Sequence, residues 1–230
     1  MKRLPLTISI MLLLCCYANA QSVVDRGLVH DGMYINPGFG FSYNYPKNWV
    51  VHGDATNERL RELGKEKVAE SGTSKAAVEV ALNHTYHLLT VFRQPLGTPG
   101  LDFNPAILVI AEKVDYAPGI TSGKDYLLNI RALMMKAGAH HVLLNEPMEY
   151  QVAGSQFYRD SYAVEINGVQ RAEAYFAKVV NGYALVFIFI GEDQKSLDEM
   201  TKTMETFVPT PPVRRGVTTV LGSAPQRKPK

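Results

Sequence analysis

The chain is expected to fold as an α+β protein, an α/β/α sandwich in which a central, mainly antiparallel sheet carries helices on both faces. Three observations predict this. Two Asn-Gly steps, Asn167-Gly168 and Asn181-Gly182, join three strand-like runs between Phe157 and Ile190. A two-residue type I′ turn needs positive φ at both central positions, and Asn and Gly accept that most cheaply. The third run, Tyr183 to Ile190, is apolar throughout, so it must be covered on both sides. Finally, two apolar stripes at helical spacing flank this meander: Tyr126, Leu127, Ile130, Leu133, Met134 and Ala137 before it, and Leu197, Met200, Met204 and Phe207 after it.

With two-residue turns, Ile166 lies opposite Val169 and Val180 opposite Tyr183, which fixes all other pairs. One face then carries Tyr162, Val164, Ile166, Tyr175, Ala177, Val179, Val186, Ile188 and Ile190. The run ending at Ile190 is expected to lie between two helical layers, with the interior given to packing and no reactive cleft. Arg171 and Glu173 share a face with Tyr162 and Val164, and the expectation is an exposed hairpin tip with a solvated cross-strand ion pair.

Residues 1–20 read as a secretory signal peptide: Lys2 and Arg3, an apolar run from Leu4 to Cys16, and a small-residue end at Tyr17-Ala-Asn-Ala20. The expected destination is secreted or periplasmic. Lipid anchoring at Cys15 or Cys16 is disfavoured because Leu14 and Cys15 precede them, where a small residue is required. Both cysteines fall in this segment, so the mature protein has no thiol or disulfide chemistry. Removing Lys2 and Arg3 leaves 22 basic and 22 acidic residues. Five of those bases lie in residues 211–230, which contain no acid, so the folded body is negative and nucleic acid is not an expected partner. Residues 21–208 are read as one domain, and 209–230 as a disordered, basic, Pro-rich tail able to touch an anionic surface. No downstream run approaches the roughly 18 uncharged apolar residues of a transmembrane helix.

Gly32 to Pro37 reads as a first strand. Phe39 to Tyr45 reads as a second, with Phe39, Phe41, Tyr43 and Tyr45 on one side and Gly40, Ser42 and Asn44 on the other. Pro46-Lys-Asn48 turns the chain into Trp49-Val-Val51. A charged helical insert follows over about 54–82, capped by Asp54, with Leu60, Leu63 and Val68 on one stripe and an interruption at Ser71-Gly72.

The stretch Gly40-Phe-Ser-Tyr-Asn-Tyr-Pro-Lys-Asn-Trp49 resembles the opening strand-turn-strand of the PsbP and Mog superfamily, and the later order of strands, helix, meander and final helix is similar over most of residues 33–208. The resemblance implies a compact α/β/α sandwich and non-enzymatic partner binding, with a protein as the expected partner. The 54–82 insert departs from the short family pattern and is one expected interaction surface. The loop Gln94 to Asn104, ending at Pro105, with three prolines and two glycines, is the other.

His84-Thr-Tyr-His87 is the only metal-like spacing, with Asp102 the nearest further ligand across that loop. Residues three apart on a strand face opposite ways, so the two imidazoles converge only if His84 still belongs to the preceding helix. Two histidines without a ligand set make a poor site, and the expectation is no metal, no cofactor and no catalytic residue. A metal-dependent hydrolase built on His84, His87 and Asp102 is the competing reading. Adjacent His140 and His141 point apart, as the start of a strand with one ring buried and one wet. A nucleophile elbow, a phosphate loop, a dinucleotide fingerprint and a zinc-protease helix are all missing. Ala106 to Ala111 is a buried strand, Thr121 caps the helix that Gly138 stops, Val142 to Ala153 is a strand region broken at Pro147, and the last helix spans Asp193 to Phe207. Met134, Met135, Met200 and Met204 read as core filler.

Overall fold

A computed structural model of the protein describes residues 24–70, 80–136, 141–166 and 168–210, with no side chains described at 63–70 and 166. Residues 1–23, the residues beyond Thr210, Asn167, His140, Gly138 and the middle of the insert lie outside the described residues, as do the side chains of Leu63 and Val68, so the expected signal peptide and tail are not described.

The elements are β1 (Leu28–His30), β2 (Met33–Asn36), β3 (Phe41–Asn44), β4 (Val50–Val51), α1 (Asp54–Glu70), β5 (Thr85–Phe92), β6 (Ala106–Lys113), α2 (Gly123–Lys136), β7 (His141–Leu143), β8 (Met148–Val152), β9 (Ser155–Ile166), β10 (Val169–Val180), β11 (Tyr183–Gly191), α3 (Gln194–Thr201), a 3₁₀ turn (Lys202–Thr206) and β12 (Val208–Pro209). The main sheet runs β4-β5-β6-β11-β10-β9-β7, with β8 also paired to β9, and every pair is antiparallel. The fold class is the expected one.

The meander has the register read from its turns: Ile166 faces Val169, and Val180 faces Tyr183. Asn181 and Gly182 both take positive φ, 52° and 79°, as a type I′ turn requires. β11 is the central strand of the path, which is why it has no polar face.

Its two faces meet different cover. Leu185, Phe187 and Phe189 enter an aromatic core with Phe41, Tyr43, Phe157, Phe207 and Leu197. There Phe187 lies 5.1 Å from Tyr43 and 5.7 Å from Phe41, edge to face. This cover is α3 together with a smaller sheet of order β1-β2-β3-β12. The alternation at 39–45 thus buries Phe41, Tyr43 and Tyr45, but in a second sheet packed on the first. Val208–Pro209 pairs with Phe41–Ser42, so Pro209 closes that small sheet instead of beginning the tail.

On the opposite face, α2 packs on β9 and β10. Its start is a capping box: Asp125 Oδ2 accepts from Ser122 N at 2.9 Å while Ser122 Oγ accepts from Asp125 N at 3.2 Å. Gly123 brings it close, since a Cβ there would stand 2.0 Å from the carbonyl oxygen of Ala177. Arg131 anchors it further along, bidentate to Asp160 at 2.6 Å for both contacts. One helix about 10 Å across cannot cover a sheet roughly 29 Å wide. The residues that complete the cover over β5, β6 and β11 come from the insert: Leu60 and Arg61 of α1 and the helical turn at 80–83.

Candidate functional site

Between α2 and the insert, the sheet face is not packed shut. A cavity of about 630 Å³ lies there, floored by Leu108, Ile110, Val186, Ile188 and Ile190 and walled by Leu60, Leu82, Ile130, Leu133 and Met134. This corrects the expectation for β11. Ala184 and Val186 are buried beneath Tyr126 and Leu127, but Ile188 and Ile190 are only half-buried and line the chamber. The physical reason is the divergence of two covers held at different places, α2 over β9 and β10 and the insert beyond β11.

Ionisable groups converge on the same space: Arg61, His87, Glu112, His141 and Glu173, with Tyr126 and Tyr175. Glu112 is buried at the end of β6 and accepts hydrogen bonds from the hydroxyls of Tyr116 and, at 2.8 Å, Tyr126. Burial raises its carboxyl above the ordinary carboxylate range against the opposing pull of those hydroxyls. Tyr126 and Tyr175 are driven far above the ordinary phenol value, first by burial and then by the neighbouring carboxylates, so both act as donors.

Glu173 is not half of a solvated ion pair as expected: it is 7% exposed, accepts from the Tyr175 hydroxyl at 2.9 Å, and faces His141 Nε2 at 3.6 Å. Arg171 does not pair with it. Its guanidinium lies 4.4 Å from the Phe103 ring centroid and donates to the Glu192 carbonyl. The tip is exposed at Glu165, Val169 and Gln170, as expected, but Glu173 lies inside the cover because β7 pairs alongside β9 and brings His141 beside it.

The predicted histidine pair is not brought together with a carboxylate. The ring of His84 stacks 4.8 Å from Tyr116 and its Nδ1 is 2.7 Å from the Val80 carbonyl oxygen. His87 stands in β5 against the chamber, and burial, aided by Arg61 and Arg26, holds its imidazole below the ordinary value, hence neutral at pH 7. Asp102 is exposed on the 94–105 loop, which is clamped at its base by Asn104 to both backbone groups of Gln94. Among the described residues no three His, Cys, Asp or Glu side chains are grouped closely enough to hold a metal ion. His141 does begin a strand, with its side chain 15% exposed. Met200 and Met204 are core, Met134 lines the chamber, and Met135 is exposed, contrary to expectation.

Of the two carboxylates at the centre of this site, Glu112 was missed because it sits in a run that reads as packing, and Glu173 was read as half of a solvated ion pair with Arg171. Glu112 follows Ala106-Ile-Leu-Val-Ile-Ala111, and Glu173 stands between Ala172 and Ala174. An acid inside a buried apolar strand is the signal that marks both. A second, polar cavity of about 480 Å³ adjoins the chamber at Arg61, Thr85 and His87 and is otherwise lined by Arg26, Asp54, Asn57, Glu58 and Asn83 among others.

No family model matches the chain, and no curated protein does. Solved structures similar to it include LpqN of Mycobacterium tuberculosis, a protein involved in cell envelope biogenesis (12% identity over 74% of this chain and 83% of that one, TM-score 0.40). A protein from Bacteroides thetaiotaomicron is similar at 11% identity over 79% of this chain and 49% of its own, with TM-score 0.42. The cyanobacterial PsbP of Synechocystis is similar at 12% identity over 80% of this chain and 95% of that one, with TM-score 0.45.

Proposed function

We propose that this protein is an exported, non-enzymatic binding module that holds a mainly apolar small molecule in the chamber between α2 and the insert. The observation that carries the reading is the chamber itself: its volume falls within the roughly 300–1,000 Å³ of ligand pockets, and its lining is apolar with a few converging polar groups, the usual composition of such sites. Export is supported by the charged, apolar and small-residue order of residues 1–20 and by the confinement of both cysteines to them. Binding rather than catalysis is supported by how two of the polar groups are occupied. The Glu112 oxygens each take a tyrosine hydroxyl, and Thr85 Oγ1 donates to the Ala81 carbonyl, so neither is poised as base or nucleophile. The insert, expected to be an interaction surface, contributes Leu60, Arg61, Ala81 and Leu82 to the chamber lining.

The test is uptake of a neutral fluorescent apolar probe such as N-phenyl-1-naphthylamine. Ile188→Trp fills the chamber floor and is expected to weaken uptake at least about tenfold while the far-ultraviolet circular dichroism is unchanged. Unaltered uptake by the folded variant, or none by the wild-type protein, overturns the reading.

A further inference from the structure

Resting on the chamber reading, we infer that the ligand is an amphiphile with a primary ammonium head, seated with the head at Glu173 and the alkyl body along Ile190, Ile188 and Val186. Glu173 lines the chamber and is more than nine-tenths buried, yet only one of its oxygens is engaged. Oε2 takes the Tyr175 hydroxyl and faces His141, whereas nothing among the described residues donates to Oε1 and no lysine or arginine nitrogen pairs with the group. The nearest cation on its own strand face, Arg171, is turned to Phe103 and the Glu192 carbonyl. A buried carboxylate with a free oxygen and no full cationic partner is costly, and a ligand cation relieves that cost.

The surroundings fit such a head. An ammonium offers three donors, one of which meets the Glu173 oxygen that the Tyr175 hydroxyl leaves free. Ile190 stands directly across the ladder from Glu173 and Ile188 across from Tyr175, so apolar floor begins immediately beside the polar corner. An anionic amphiphile finds the reverse. Among the described residues that line the chamber are two carboxylates and one guanidinium, Arg61, which already donates to Glu58 at 2.8 Å.

Displacement of the bound fluorescent probe by dodecylammonium, dodecanol and dodecanoate, each below its micelle concentration, decides the matter on the wild-type protein alone. Dodecylammonium is expected to bind at least about tenfold more tightly than either of the others. Glu173→Gln is expected to erase that preference while leaving dodecanol affinity within about threefold of wild type. Binding of all three with equal affinity, tighter binding of dodecanoate, or a preference untouched by Glu173→Gln overturns the head-group assignment and leaves the apolar chamber standing. Failure of all three to displace the probe, or of the probe to bind, overturns both.

Discussion

Glu112 is a carboxyl that the fold holds away from water, and its consequence is a pH dependence of stability. Because burial raises its carboxyl in the folded state, the folded protein retains this proton over a range in which the unfolded chain has lost it. Stability from this group is therefore greatest at and below the ordinary carboxylate pKa and falls as pH rises through the raised value. Glu112→Gln, which keeps an acceptor for one tyrosine, is expected to gain on the wild-type protein in melting temperature as pH rises from about 4.5 toward 7. Parallel melting curves across that range refute the assignment. Asp160 is half of a buried ion pair, with its side chain fully inaccessible and that of Arg131 at 6% exposure. The Tyr162 hydroxyl also donates to Asp160, and removing the acid leaves the buried guanidinium with the Asn145 carbonyl and, at 3.4 Å, the exposed Glu146. Asp160→Asn is expected to cost about 3–5 kcal/mol in urea unfolding, with the paired Arg131→Met/Asp160→Leu variant recovering most of it.

Helix α2 decides how wide the chamber is, and it does so from one end. Gly123 lies against the backbone of Ala177 and Lys178, the tightest helix-to-sheet approach of any described glycine. From there Tyr126 and Leu127 are buried, while Ile130, Leu133 and Met134 on the same stripe are half-buried and line open space. The 3.6-residue period identified all five but not this difference, because period reports which side of a helix faces inward and not how far the neighbour stands away. Gly123→Ala is expected to lift the amino-terminal turn, costing about 1–3 kcal/mol by overpacking, and to weaken probe uptake. A variant with native stability places the close approach elsewhere. The final helix shows a similar limit. Asp193 caps it through Ser196 N at 2.7 Å, and Leu197, Met200, Met204 and Phe207 are buried as their spacing requires, yet its last turn tightens to 3₁₀ geometry before β12.

At the scale of the molecule, the chamber exists because a sheet wide enough for several covering elements has on one face a single well-anchored helix and an insert. Replacing residues 54–82 by a flexible linker long enough to span β5 is therefore expected to leave the β-sheet circular dichroism intact and abolish uptake of the apolar probe. Retained uptake would place the ligand outside the chamber. The register of the meander, the central place of β11, the capping box of α2 and the stripes of both later helices were legible in the chain because each rests on residues a few positions apart. The turns enforce Ile166 against Val169 and Val180 against Tyr183 whatever else the protein does. The second sheet, the burial of Glu173 beside His141, the occupancy of Glu112 by Tyr126, and the gap above Ile188 and Ile190 were decided only in three dimensions. Each joins segments whose separation in sequence carries no periodic signal: whether an apolar side chain meets a neighbour or a void depends on where another element is anchored, and local spacing contains no record of that.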